Sequence, residues 1–209
     1  MLDEFLRRHD GVITLLQARA AGLSQDAVNR LVRSGHWRRC TPGVYFAQDH
    51  PFTDAARVRA TVWGYGPDAA ASGVAAAWWH GIVVDAPDIV EVTVARRRRL
   101  RQQPGSKLRR RDLKPVDVVE RRGLRVTGLD LTAIEAPVRR AGSTAILDRA
   151  LQRHTELPKL WRAHLRNKGR HGSPRARILL QAADDGTRSK AERLLIRLLK
   201  QAAITGWVA

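Results

Sequence analysis

Residues 14–45, TLLQARAAGLSQDAVNRLVRSGHWRRCTPGVY, constrain the fold more than any other part of the chain. They read as two short helices, a glycine turn between them and a hairpin behind. Ala18 is small where a second helix must cross the first. Gly22 supplies the turn, where a positive φ is cheap only for glycine. Ser24 is placed to cap the second helix, its side-chain oxygen accepting a free N–H of the first turn. Val28 and Leu31 are three apart and turn inward together. Gln25, Asp26, Asn29, Arg30 and Arg33 remain as the polar face. Gly35 ends the helix, and His36-Trp37-Arg38-Arg39-Cys40 has strand composition. Thr41-Pro42-Gly43 is a turn, and Val44-Tyr45-Phe46 returns as the second strand. Val12-Ile13 is a short apolar segment suited to pair with that hairpin. A winged helix-turn-helix satisfies all of these at once.

Charge narrows the partner. The chain holds 38 Lys+Arg against 20 Asp+Glu, a net +18. Such a field implies a polyanion, or an acidic protein. A membrane surface fits less well, because the bases are not gathered on one amphipathic helix, and no apolar run is long enough to span a bilayer. A polar face near a helix N-terminus offers contacts to base edges and phosphates. The candidates there are Thr14, Ser24, Gln25, Asn29, Arg30 and Arg33, with Arg38 and Arg39 side by side on the hairpin strand next to that helix. A second basic region follows: Arg96, Arg97, Arg98, Arg99 and Arg101, then Lys107, Arg109, Arg110 and Arg111, with no acid among residues 96–111. Gln102-Gln103-Pro104-Gly105-Ser106 in its middle makes it an exposed loop. Like charges at this density repel, and a phosphate backbone relieves them with release of counterions. Both regions also have a bland reading, as a small helical core with a hairpin and as a solvated charge run.

One cysteine, Cys40, excludes an intrachain disulfide and a Cys-based zinc site, and the seven histidines lack ligand spacing, so no metal or cofactor is expected. The first residues, MLDEFLRRHDG, carry acids and no apolar core, unlike a signal peptide; a cytoplasmic protein is expected.

Beyond a linker at 49–51, Thr53 caps a helix reaching about Trp63, with Ala55, Val58 and Val62 on one face. Gly64-Tyr65-Gly66-Pro67 breaks it, and a second helix is predicted over 69–80 with Gly81 as its C-terminal stop. His80 there is favoured by the helix dipole alone, without a catalytic role. Residues 89–95, IVEVTVA, are the clearest strand. Residues 116–120 and 124–127, around the Arg121-Arg122-Gly123 turn, complete a small sheet with it. A helix over 129–140 is disturbed at Pro137; further helices run from Ser143, from Pro158 to Leu165 and from Pro174 to about Ala183. Asp184-Asp185-Gly186 ends the last of these, and a new helix begins at Ser189 with Leu194, Leu195, Leu198 and Leu199 as its stripe. Trp207-Val208-Ala209 reads as the opening of a strand. The fold class is α+β: a winged helix-turn-helix over 1–48, a mixed helix and small-sheet domain over 53–165, and a C-terminal helical segment over 174–209.

Several of these motifs carry a resemblance. Gly11-Val12-Ile13-Thr14, Ala21-Gly22-Leu23-Ser24, Gly35-His36-Trp37 and Pro42-Gly43-Val44-Tyr45 resemble the N-terminal winged helix of AbiEi-type antitoxins. Ala70-Ala71-Ser72-Gly73 through Ala76, His80-Gly81-Ile82, Val90-Glu91-Val92-Thr93-Val94 and Leu124-Arg125-Val126-Thr127 resemble the middle domain of the same family. Asp184-Asp185-Gly186 with Ser189-x-x-Glu192 resembles the start of a Vsr-like, restriction-endonuclease-like domain. The resemblance implies an autorepressor bound to double-stranded operator DNA. It implies the antitoxin of a type IV, AbiE-like pair, neutralising a nucleotidyltransferase-like toxin without stable contact.

The endonuclease likeness opens an alternative, a truncated or remnant DNA-acting hydrolase. Such a site needs at least two acids converging on a divalent ion. In that fold they stand on strands after the first helix, and this chain stops at Ala209 before either. Ser189 and Glu192 also form a capping box, and Asp184-Asp185-Gly186 is a turn. A chain that binds DNA without enzymatic activity is therefore expected. An RNA-binding role is disfavoured because the sheet lacks paired aromatics for stacking bases.

Overall fold

The computed structural model describes residues 2–139 and 144–201, with only the backbone at 187, 188, 190–194, 196, 197 and 199–201. The chain opens with α1 (Leu2–Arg8), β1 (Val12–Thr14), α2 (Leu15–Ala20), α3 (Gln25–Arg33), β2 (Trp37–Thr41) and β3 (Val44–Ala47). The three strands form an antiparallel sheet in the order β1-β3-β2. One face of this sheet, through Ile13, Tyr45 and Trp37, packs on Leu6, Ala18 and Val28 of the three helices. Val28 and Ala18 are wholly buried, as the pattern of small and apolar positions requires.

The opposite face, through Val12, Val44 and Phe46, is covered by Ala56 and Ala60 of α4 (Asp54–Trp63). Thr53 caps α4, accepting from the Ala56 N–H at 3.2 Å. Val58 and Val62, on another side of the same helix, enter the core of a second sheet. That sheet has five strands in the order β6-β5-β4-β8-β7: β4 (Ala70–Ala71), β5 (Val90–Val94), β6 (Ser106–Arg110), β7 (Val118–Arg121) and β8 (Leu124–Thr127). Here β5 and β6 run parallel, as do β4 and β8, and the other pairs are antiparallel. Val90, Val92 and Val94 face α4 and α5 (Gly73–His80), burying Trp79 between them. Each such aliphatic side chain contributes about 1.5–3 kcal/mol by leaving water. Behind α5 lie α6 (Leu129–Arg139), α7 (Thr144–Arg153), α8 (Leu157–Arg166) and α9 (Ser173–Gln201), joined by a core of Leu131, Ile134, Leu147, Leu160 and Leu180.

Four expectations change. The helix predicted over 69–80 begins only at Gly73. Ala70 and Ala71 form the central strand, paired to β5 and β8, so pairing on both edges overrides the helix preference of alanine. Gly73, at φ +58°, makes the switch. The predicted basic loop is a loop only over 95–105. Ser106–Arg110 is an edge strand, its side chains answering Glu91 and the sheet edge. The Asp184-Asp185-Gly186 stop is absent, since α9 runs continuously from Ser173 to Gln201. Strong helix formers on both sides carry the helix through a glycine that costs only about 1 kcal/mol. Ser189 is therefore a helix-interior position and starts no capping box; the Glu192 side chain is outside the described residues. Fourth, the dipole reading of His80 gives way to burial: its Nε2 lies 2.8 Å from the Thr127 carbonyl, and desolvation lowers its pKa, the carbonyl contact opposing. The Ser143 cap and the strand at 207–209 lie outside the described residues. Pro137 is inside α6, which continues to Arg139.

Candidate nucleic-acid interface

The two N-terminal helices are set by their caps. Thr14 and Gln17 form a reciprocal capping box at the start of α2, with the Gln17 N–H to Thr14 Oγ1 at 3.2 Å and the Thr14 N–H to Gln17 Oε1 at 2.9 Å. Ser24 Oγ accepts from the Ala27 N–H at 3.1 Å and opens α3. Both hydroxyls are thus engaged within the fold, and their contribution is to aim the helices. Gly22 takes φ +92° between the helices and Gly35 takes φ +78° after α3. The wing turn at Gly43 is held against α2 by the Leu15 N–H to Gly43 carbonyl bond of 2.8 Å.

The polar face of α3 is an ordered row. Gln25 Nε2 donates to Asn29 Oδ1 at 3.3 Å, and Arg19 of α2 reaches Gln25 Oε1 at 3.4 Å. Arg30 and Arg33 are exposed, and neither has an ion pair among the described residues. On the wing, Arg38 and Arg39 share a strand and diverge, as adjacent strand residues must. Arg39 lies over Tyr45 on the face shared with the helix-turn-helix, 5.8 Å from the ring. Arg38 lies over Phe52, at 3.9 Å, and Phe46, on the face covered by α4. Its guanidinium is held over these rings on an exposed residue, which leaves it free to meet a phosphate.

Arg96, Arg97, Arg98, Arg99 and Arg101 are all exposed on the β5–β6 loop. Arg98 turns back toward the winged helix: a Cβ on Gly66 would sit 3.2 Å from its Nη2. It helps line a cleft of about 520 Å³ whose other wall is Thr14, Leu16, Gln17 and Pro42. Leu16 is 72% exposed in this cleft. Arg125 joins the same wall as Arg98. Three of the remaining arginines of the predicted basic region are structural, while Lys107 is exposed. Arg109 pairs with Glu91 at 2.7 Å, Arg111 pairs with Glu135, and Arg110 donates to the Leu100 carbonyl.

One feature that positions the interface was not legible in the sequence. Arg59, only 1% exposed, donates from Nε and Nη2 to Asp10 at 3.0 and 2.8 Å. It also donates to the Gly123 and Arg122 carbonyls at 3.0 and 2.8 Å. This clamp ties the end of α1 to the β7–β8 turn through α4. Burial lowers the Arg59 pKa, with Asp10 opposing. The signal was an arginine on an otherwise apolar helix face, one residue from Val58, and an acid directly before Gly11.

The three-helix, three-strand unit thus has the architecture of a winged helix DNA-binding domain. Residues 1–46 match the family model described as "Transcriptional regulator, AbiEi antitoxin", in agreement with the motifs of the winged helix. No curated protein matches the chain. Among solved structures, the crystal structure of RV2827C protein from Mycobacterium tuberculosis is similar, with a TM-score of 0.52 and 18% identity over 86% of this chain and 74% of that one. At that identity the likeness is one of fold. No described helix is long and apolar enough to cross a membrane.

Proposed function

We propose that this chain is a DNA-binding transcriptional regulator of the antitoxin type that represses its own operon. The observation that carries the reading is the exposed, capped α3 with Asn29, Arg30 and Arg33 on its open face, within the segment that matches AbiEi regulators. In this reading α3 enters the major groove, with Asn29 and Arg30 at base edges and Arg33 at a phosphate. Gln25, braced by Arg19, orders Asn29. Arg38 and Arg39 on the wing, and Arg96–Arg99 with Arg101 on the loop, contact the flanking backbone. The antitoxin role pairs it with a nucleotidyltransferase-like toxin encoded alongside, neutralised without stable contact. The chain acts by binding, without cleavage. Asp184 and Asp185 are adjacent in the interior of α9, where consecutive side chains diverge by about 100° around the axis, a poor start for a shared metal.

Arg30→Ala tests the carrying observation. A bidentate base contact discriminates by about 1–3 kcal/mol. The variant should lose roughly 5- to 150-fold on the DNA upstream of its own gene and much less on random duplex. Equal loss on both duplexes would reduce Arg30 to a phosphate contact, and no retardation of either by the parent chain would remove the regulator reading.

A further inference from the structure

The corner between α8 and α9 holds a cavity that the proposed DNA surface does not use. Its volume is about 970 Å³, at the upper end of small-molecule sites. Its helices belong to the core built on α6, which shares no buried residue with the winged-helix core. One wall is apolar, made by Trp161 and Leu165 of α8 and Ile178 of α9. The other is cationic, made by Lys168, Arg170 and Arg177.

Two groups in the wall lack partners. Arg170 is anchored by its Nε, 3.3 Å from Glu135, while Nη1 and Nη2 are buried with no hydrogen bond. His164 is 3% exposed, and its Nδ1 is likewise buried and unpartnered. Buried donors without acceptors are costly, and a charged one most of all. Burial pushes the Arg170 pKa down to about 10, with Glu135 opposing.

The surroundings hold a surplus of positive charge. Arg109, Arg111, Arg139, Arg166 and Arg170 are paired to Glu91, Glu135 and Asp117 alone, five cations on three carboxylates among the described residues. Burial lowers the His164 pKa, and the charges of Arg170, Lys168 and Arg177 lower it further. Ser173 and Pro174, at the start of α9, complete the lining of the cavity.

We propose that the α8–α9 cavity binds a nucleoside phosphate, its phosphates on Lys168 and Arg177, in the field of the buried Arg170, and its base against Trp161. A flat ring and several negative charges match the two walls. The phosphates of DNA offer the same anionic chemistry from another source, and the test separates them.

The experiment is calorimetric titration of the full chain with ATP, and separately with tripolyphosphate and with adenosine. ATP should bind at least about tenfold more tightly than either part, since it engages both walls. Lys168→Gln and Arg177→Gln, both on the surface, should each weaken ATP about tenfold, the loss of one charge-assisted contact. Their far-ultraviolet dichroism and ligand-free melting should be unchanged; Arg170→Gln, which also frees Glu135, is a third variant and not the deciding one. Equal binding of ATP and tripolyphosphate would overturn the proposal, as would unchanged ATP affinity in both surface variants. So would displacement of ATP by random duplex that disappears in Lys168→Gln, because the cavity would then serve the DNA backbone.

Discussion

The Asp10–Arg59 clamp gives the most quantitative prediction. In Asp10→Ala the guanidinium of Arg59, 1% exposed, loses its only carboxylate among the described residues and keeps two carbonyl acceptors. Removing one partner of a buried pair costs about 3–5 kcal/mol because the other charge stays buried. Asp10 is 31% exposed, and water can enter the vacated space, so the cost falls below that range, to about 2–3 kcal/mol. For a chain of this size that is a fall in Tm of roughly 4–12 °C. Arg59→Met in the same background removes the stranded charge and fills the space between Trp63 and Trp79, where Arg59 now lies 5.2 and 5.3 Å from the rings. The double variant should therefore be more stable than Asp10→Ala alone. Urea denaturation followed by tryptophan fluorescence measures both. A cost below about 1 kcal/mol for Asp10→Ala, or a double variant as unstable as the sum of the singles, would refute the clamp as a source of stability.

Gly73→Ala should destabilise by about 2–4 kcal/mol, measured in the same urea assay, because the position combines φ +58° with Glu91 Oε1 only 1.8 Å from where a Cβ would stand. Replacing Arg96 to Arg99 with Gln should flatten the log–log salt dependence of DNA binding by up to about 3.6, if each neutralises one phosphate at roughly 0.9 per contact; fluorescence anisotropy at several salt concentrations reads the slope. Stability should fall as pH drops through about 6.5, because burial lowers the pKa of His80 and His164 in the fold while the unfolded chain takes up those protons at the ordinary value; urea denaturation at a series of pH values should show the loss below that point and none well above it. Phe52→Ala should weaken DNA binding without changing the fold, by releasing Arg38 from its 3.9 Å stacking contact, with gel retardation as the measurement.

What the sequence disclosed depended on the range of the interaction. The winged helix was legible because each of its signals is local: Ser24 caps its own helix, Gly22 and Gly43 turn their own neighbours, and Val28 and Leu31 share one face. The second sheet was half legible. VEVTV alternates and reads as a strand, yet Ala70-Ala71, its central neighbour, has helix-forming composition and is a strand only because β5 and β8 flank it. Arg109 and Arg111 looked identical to Arg97 and Arg99. Their acids, Glu91 and Glu135, are 18 and 24 residues away, so nothing local marks them as structural. The α9 helix failed in the opposite sense: Asp184-Asp185-Gly186 is turn chemistry at short range, outweighed by a helix propagating from both sides.

The same distinction sets how the basic loop works. It is not a tether hanging from the sheet. Gln103 donates from Nε2 to the Gly64 carbonyl at 2.9 Å, and its backbone N–H donates to the Tyr65 hydroxyl at 2.7 Å. Tyr65 in turn meets Ser106 Oγ at 2.5 Å, and the Arg96 N–H is tied to Asp112 at 3.0 Å. The loop is thus pinned at one end to Asp112, just after β6, and at the other to the segment that follows α4, and α4 itself supports the wing sheet from behind. Holding Arg96–Arg99 and Arg101 together in this frame raises their mutual repulsion in the free protein, and the frame's hydrogen bonds offset it. The arrangement places Arg98 in one cleft with Thr14 and Gln17 of the α2 start, so part of the loop's charge is carried beside the winged helix. In the proposed reading, a duplex seated on α3 would meet that charge with little further ordering of the chain, and the entropy lost on binding would be correspondingly small.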